Sequence, residues 1–265
     1  HPPPKKKRVI YTARCLRHDS YMRVLDLFSG IGGFSLGLER AGMKTVAFCE
    51  IDPFCRRVLA KHWPGVPQYD DVRTLTAQRL ADAGIAVDVI CGGFPCQDIS
   101  VAGKGAGLAG ERSGLWSEYA RLIGELRPRY VIVENVAALL GRGLGDVLGD
   151  LAALGYDAEW HCIPASYVGA RQLRDRVWVV AYPKCYSVQG RAILAAAWES
   201  QSREEQLAGL VQPCSWPTVS GSRSWGTGHG VPNGVDRNRG IGNAVVPQIP
   251  ELIGRAIMSK DVNDG

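Results

Sequence analysis

The feature that most constrains the fold is a short, mainly apolar run, Val87 to Ile90, that stops at Cys91-Gly92-Gly93-Phe94-Pro95-Cys96-Gln97-Asp98-Ile99-Ser100. Such a run with glycine and proline directly behind it reads as a buried strand of a parallel sheet. Open α/β sheets bind ligands outside the carboxyl ends of their strands, so the residues after Ile90 belong to a cleft. Pro95 fixes φ immediately before Cys96, and the two glycines let the backbone turn and approach a ligand. Cys96 is thereby a candidate nucleophile. Cysteine is also among the most buried residue types, so on this segment alone a structural thiol stays open.

Other strand ends repeat the arrangement. Arg23 to Phe28 reads as a strand, Ser29-Gly30-Ile31-Gly32-Gly33 as a loop, and the stretch through Phe34, Leu36, Leu38 and Ala41 as a helix. A loop of this kind presents N–H groups at a helix N-terminus and suits nucleotide cofactors of several kinds, although it lacks the Lys-Ser/Thr of a P-loop. Thr45 to Cys49 is a second strand. Glu50 follows it about 20 residues after the glycine loop, where a carboxylate can hold ribose hydroxyls. A helix-terminal carboxylate ahead of Asp52-Pro53 is the alternative. A helix from Pro53 to about His62 precedes a turn at Trp63-Pro64-Gly65 and a short strand ending near Tyr69. Asp71, just beyond, either bonds an adenine amino group or caps a helix beginning near Thr74.

Past Cys96, the glycine-rich stretch Ser100 to Arg112 carries Lys104 and Arg112 and reads as a lid or as an ordinary surface loop. A helix from Gly114 to Leu126 and a strand from Tyr130 to Val133 bring Glu134-Asn135-Val136 to the same sheet edge as Cys96. Gly143 to Leu154 reads as a helix, and strands follow around Glu159 to Ile163 and Arg176 to Ala181. Arg174 and Arg176, two apart at a strand entrance, share a face and can both reach an anionic or carbonyl-bearing substrate; solvated surface charge is the alternative. From Pro183 to about Val235 the pattern weakens to an alanine-rich helix, Gln189 to Trp198, and a region holding Trp216 and Trp225. Arg237 to Pro247 then leads into a final helix to about Met258.

At 265 residues and 46% hydrophobic, the chain can bury the core of one large domain, alone or with a small appendage. The formal charge of +5 permits a polyanionic partner without requiring one. Eight cysteines with no CxxC pair indicate neither a zinc site nor a disulfide framework, so a reducing compartment is the simpler inference. No apolar run approaches a membrane span. His1 to Tyr21, with Pro2-Pro3-Pro4-Lys5-Lys6-Lys7-Arg8, reads as a disordered basic extension or tag before a natural start at Met22. Its likeness to a nuclear localisation signal is weak, since short basic runs are common.

Together these segments resemble the DNA cytosine-5 methyltransferase family, particularly its compact bacterial and phage members. The resemblance covers most of Met22 to Tyr182 plus Arg237 to about Ile257. It rests on Asp26-Leu27-Phe28-Ser29-Gly30-Ile31-Gly32-Gly33, Gly92-Gly93-Phe94-Pro95-Cys96-Gln97, Glu134-Asn135-Val136, Gln172-Leu173-Arg174-Asp175-Arg176 and Gly242-Asn243-Ala244-Val245-Val246-Pro247, in family order. It implies a Rossmann-like, S-adenosylmethionine-dependent methyltransferase fold of the α/β class. The sheet would be mixed and mostly parallel, with a reduced target-recognition segment. The division would be 1–21 extension, 22–182 catalytic and cofactor-binding domain, 183–235 recognition segment, 236–258 returning motif and helix, and 259–265 tail.

By the same resemblance, Cys96 adds to carbon 6 of a flipped cytosine, Glu134 serves the ring nitrogen and exocyclic amine, Arg176 the base carbonyl, and Arg174 a nearby phosphate or loop oxygen. S-adenosyl-L-methionine would lie among Phe28, Gly30, Ile31, Glu50, Ile51, Asp71, Val72, Pro95, Leu115, Asn243 and Val245, and no metal is needed. The implied partner is double-stranded DNA, with a cognate restriction endonuclease as a functional partner, a monomeric chain, no membrane, and a cytoplasmic location at DNA. A transfer RNA methyltransferase of the same fold and an inactive DNA-binding module are the rival readings. Two features depart from the family pattern. Arg171 stands where a proline is usual, and the stretch between Ala181 and Arg237 is about half the length of a separate base-reading domain.

Overall fold

The computed structural model describes residues 21–95, 114–170, 174–185, 192–197 and 244–262. Cys96, the Ser100 to Arg112 stretch, Gln172, Leu173, Trp216, Trp225 and Asn243 lie outside the described residues, as does most of the basic extension and of the 183–235 segment.

The chain opens with β1 (Arg23–Leu27), α1 (Gly33–Arg40), β2 (Lys44–Cys49), α2 (Pro53–His62), β3 (Gln68–Tyr69), α3 (Ala77–Asp82) and β4 (Val89–Gly92). It continues with α4 (Gly114–Leu126), β5 (Tyr130–Val136), α5 (Leu139–Arg142), α6 (Leu144–Ala153), β6 (Tyr156–Pro164), β7 (Asp175–Pro183) and α7 (Gln248–Val262). The strands form one seven-stranded sheet in the order β3-β2-β1-β4-β5-β7-β6. Neighbours from β3 through β5 run parallel, and β7 is antiparallel to both β5 and β6. The sheet is therefore mixed and mostly parallel. Its winding reverses between β1 and β4, which places a cleft outside their carboxyl ends.

Two apolar layers flank the sheet, and the period-two alternation of the strands assigns residues to them. On one side Leu25, Leu27, Ile90, Val131, Val133, Val177 and Val179 pack against Leu80 of α3, Tyr119 and Leu122 of α4, and Leu151 of α6. On the other side Val24, Val89, Ile132 and Val180 pack against Phe34 and Leu38 of α1 and against Ile253 and Ile257 of α7. Residues 193–197 are helical and bury Ile193, Leu194 and Ala197 in that second layer. Glu159 of β6 accepts the Ile193 and Leu194 N–H groups at 2.7 and 3.0 Å, so this helical piece is attached to the sheet. No helix among the described residues is long and apolar enough to cross a membrane.

Three local expectations shift. The strand expected from Val87 to Ile90 runs from Val89 to Gly92, because Gly92 still pairs with Leu27 and Val133. Asp88 instead accepts the Arg23 guanidinium at 2.7 Å. The helix expected from Gly143 to Leu154 is preceded by a separate short turn, Leu139–Arg142, and the two meet at Gly143 in extended conformation. The helix expected near Thr74 begins at Ala77, where Thr76 is the cap and accepts the Arg79 N–H at 3.1 Å.

Candidate active site

The carboxyl ends of β1 and β2 carry the first half of the site. Glu50, 9% exposed, follows β2 and accepts the Gly30 N–H at 2.7 Å on Oε2 and the Asp52 N–H at 2.8 Å on Oε1. Asp52, not Glu50, caps α2, accepting the Phe54 N–H at 2.7 Å. Each Glu50 oxygen keeps a lone pair for a further donor. The loop between β1 and α1 is tied down from behind. Ser29 Oγ donates to the Asp26 carbonyl at 2.6 Å, and the Gly32 N–H bonds the Ser29 carbonyl at 2.9 Å. Asp26 accepts Ser35 Oγ at 2.7 Å, joining β1 to the first turn of α1.

The other expected cofactor residues among those described lie in this loop, just past the carboxyl ends of β2, β3 and β4, at the start of α4 and, for Val245, against Gly33. Phe28, half-buried at φ 52°, stacks over Tyr119 at 6.4 Å, and Ile51 stands 66% exposed beside Glu50. Ile31 lies half-buried in the loop, and Val72 is buried beyond β3. Leu115 packs on the layer containing Phe94 and Trp116, and the Val245 carbonyl lies against Gly33. Pro95 is exposed after β4. Asp71 is the exception to a free ligand group. The Arg73 guanidinium spans both of its oxygens, with a shortest contact of 2.8 Å, and holds its carboxyl below the usual carboxylate range.

A buried acid with spare lone pairs, a backbone loop and an exposed isoleucine fit the hydroxyls and apolar face of an adenosine group. A Cβ at Gly30 would meet nothing within 4 Å, so the space in front of the loop is open. The donor set therefore suits S-adenosylmethionine.

The second half lies at β4, β5 and β7. Glu134, 8% exposed near the end of β5, meets Arg176 Nε at 2.9 Å across the antiparallel pairing with β7. Burial pushes its carboxyl upward, while the charges of Arg176 and Arg174 and the Arg176 hydrogen bond pull it down; the net direction is up. Arg174, at φ 30°, is half-buried just before β7, and its guanidinium is pulled below its ordinary value by burial and by Arg176. Both expected arginines thus bear on the expected glutamate. Gly93 makes this possible, since a Cβ there would sit 2.7 Å from Glu134 Oε2.

Sequence reasoning assigned no task to Asn135. Its Nδ2 donates to the Phe94 carbonyl at 3.0 Å, while its Oδ1 accepts the Val136 N–H at 2.8 Å. It therefore fixes the segment two residues before Cys96. The adjacency of Glu134 and Asn135 at one strand end was the available signal, because successive residues of a strand face opposite ways.

A family model described as C-5 cytosine-specific DNA methylase matches residues 22–215, nearly three quarters of the chain. The chain belongs to the C-5 cytosine-specific DNA methylase family. Among similar proteins are the type II methyltransferase M2.BsuMI of Bacillus subtilis, 38% identical over 60% of this chain and 42% of its own length, and M.Eco47II of Escherichia coli, 38% identical over 60% and 39%. The chain thus spans about two fifths of the length of these methylases. Among solved structures, a prophage-encoded E. coli protein described as a DNA modification methyltransferase superposes with a TM-score of 0.52 at 29% identity, covering 62% of this chain and 47% of that one. The S. pombe Dnmt2 methyltransferase does so with 0.51 at 20%, covering 62% and 50%, which speaks for the Rossmann-like methyltransferase fold alone.

Proposed function

We propose that the chain is a DNA cytosine-5 methyltransferase that transfers a methyl group from S-adenosyl-L-methionine to carbon 5 of a flipped cytosine in double-stranded DNA. The observation that carries this reading is Glu134, buried yet facing Arg176 and Arg174, at the sheet edge where Gly93 and Pro95 lead into Cys96. A carboxyl whose burial favours the protonated form can donate to the ring nitrogen of cytosine as negative charge develops there. The Cys96 thiolate adds to carbon 6, which makes carbon 5 an enamine carbon and therefore nucleophilic. Arg176 serves the base carbonyl, and Arg174 a phosphate or loop oxygen. Asn135 holds the Phe94 carbonyl and so orients the approach to Cys96.

S-adenosylmethionine, when bound, supplies an electrophilic methyl group. Glu50 would hold its ribose, the Gly30 loop its polar end, and Phe28, Ile31, Ile51, Val72, Pro95, Leu115 and Val245 its apolar surfaces. Asn243 belongs to the same proposed set, and Asp71 joins it on release from Arg73. After transfer, loss of the carbon 5 proton to a base expels Cys96. Extruding the base costs a few kcal/mol, on the order found for flipping enzymes.

Residues 22–182 with 236–258 form the catalytic unit in this reading, and 183–235 the recognition segment, in which the Ile193 N–H bonds Glu159 of the sheet. Pairing with a restriction endonuclease, a monomeric state and action at cytoplasmic DNA complete the proposal. Incubation with labelled S-adenosylmethionine and either duplex DNA or transfer RNA tests it. Wild type should label DNA cytosine and Cys96→Ser should not. Labelling of transfer RNA alone would move the substrate to RNA, and labelling by the serine variant would remove Cys96 from the mechanism.

A further inference from the structure

We propose that Trp63 is a positioning residue of the cofactor loop, its indole acting as a backstop that holds Gly32, and through it the Gly30 N–H, in place. The role rests on the cofactor reading above. Trp63 ends α2, where its N–H bonds the Leu59 carbonyl at 2.8 Å. Its indole runs beneath the start of α1. At Gly32, with φ +89°, a Cβ would stand 2.5 Å from both Cη2 and Cζ3 of the ring, so ring and backbone are in contact with no space for a side chain.

The ring itself is fixed from two further sides. Nε1–H donates to Glu39 Oε2 of α1 at 2.9 Å, and the edge of the ring meets Phe48 of β2 at 5.4 Å and 65°. The other Glu39 oxygen accepts the Thr45 N–H at 3.3 Å. One side chain therefore joins α1, β2, the end of α2 and the glycine loop.

The loop needs such support. Phe28, at φ 52°, keeps a conformation that a residue with a side chain holds only where the surroundings impose it, and Gly30 and Gly32, at 53° and 89°, take theirs without strain but can leave them as easily. Glu50 holds the loop from the ligand side through the Gly30 N–H, and Trp63 blocks retreat on the opposite side. Without the indole, the loop can sink toward α2 and the bond between Gly30 and Glu50 loses its geometry. A displacement of this size is enough to weaken ligand binding without unfolding the sheet.

The test is calorimetric binding of S-adenosylhomocysteine to the full chain, with the melting temperature of each ligand-free variant recorded beside it. Trp63→Ala should raise Kd about ten-fold at a temperature where the variant is fully folded. Glu39→Ala should weaken binding less, and Glu39→Gln, which keeps an acceptor for Nε1–H and gives up only the longer contact with the Thr45 N–H, should recover most of that loss. Gly32→Ala should weaken binding strongly alone, through the ring clash and the strain of φ +89°, and add less in the Trp63→Ala background, where only the strain remains. Equal losses in both backgrounds, or folded Trp63→Ala and Glu39→Ala variants that bind like wild type, would overturn the role of Trp63. If Trp63→Ala does not fold, the two Glu39 variants decide on the same criterion. A wild type that binds no S-adenosylhomocysteine would overturn the cofactor reading itself.

Discussion

The two buried glutamates at the sheet edge are held in opposite ways. Glu50 is held by main-chain donors, Gly30 N–H and Asp52 N–H, each within 3 Å. Glu134 is held by charge, with two guanidiniums brought from about forty residues further along the chain against a strong desolvation. Main-chain donors are neutral and fixed by the fold, so the half proposed for the cofactor is shaped before any ligand arrives. In the proposed reading the base half is a balance between burial, which raises the Glu134 carboxyl, and arginine charge, which lowers it. A site that must bind one ligand unchanged and protonate another gains from that division.

Removing the proton from the second half should have the largest effect. Glu134→Gln keeps shape but cannot transfer a proton, so turnover on DNA should fall roughly 10²–10⁴-fold, as for other lost general acids. S-adenosylhomocysteine affinity should stay near wild type. A parallel loss of cofactor binding would break the proposed separation of the halves. Glu50→Ala should do the reverse, weakening S-adenosylhomocysteine by roughly 10- to 100-fold through the loss of charged hydrogen bonds, with a smaller effect on saturated turnover. Equal effects on binding and saturated turnover would show that the loop shapes the reaction as well as the ligand.

The same contrast explains what was legible in the sequence. Local rules worked where local bonds decide. Asp52-Pro53 starts α2 and His62 ends it as expected, because the cap and the N1 proline act within one turn. The glycine loop and Glu50 were legible because their spacing across two strands is short. Register was not, and β4 slid by two residues since its bounds are set by Leu27 and Val133 on neighbouring strands. The bond from Asn135 to Phe94 spans 41 positions and leaves no periodic trace. The link between Glu159 and residues 193 and 194 escaped for the same reason, although it joins the core to a stretch assigned to recognition. Glu134 and its arginines were recognised by family motif, and only the fold explains why they must meet: β7 runs antiparallel to β5, pairing Val136 with Arg176.

A third carboxyl sharpens the comparison with a smaller effect. Asp26 is fully buried beneath the glycine loop, with Ser35 Oγ at 2.7 Å and the Cys91 thiol beside it, and no guanidinium among the described residues bonds it. Burial pushes its carboxyl up to about 7, with the nearby Glu50 charge adding to the rise and the Ser35 and Cys91 contacts opposing it. An acid raised in the folded state favours folding most when protonated in both states. That contribution is complete below the ordinary value of 3.8, declines as pH rises toward about 7, and is gone above it. Asp26→Asn carries no titrating proton, so its stability relative to wild type should improve steadily between about pH 4 and pH 7 and then level off. Urea midpoints for both proteins at several pH values measure the difference and cancel the groups they share. Parallel curves would mean that Asp26 is charged in the folded protein. A buried charge would then lie beneath the cofactor loop, and the contrast between a half fixed by neutral donors and one balanced by charge would fail at that point.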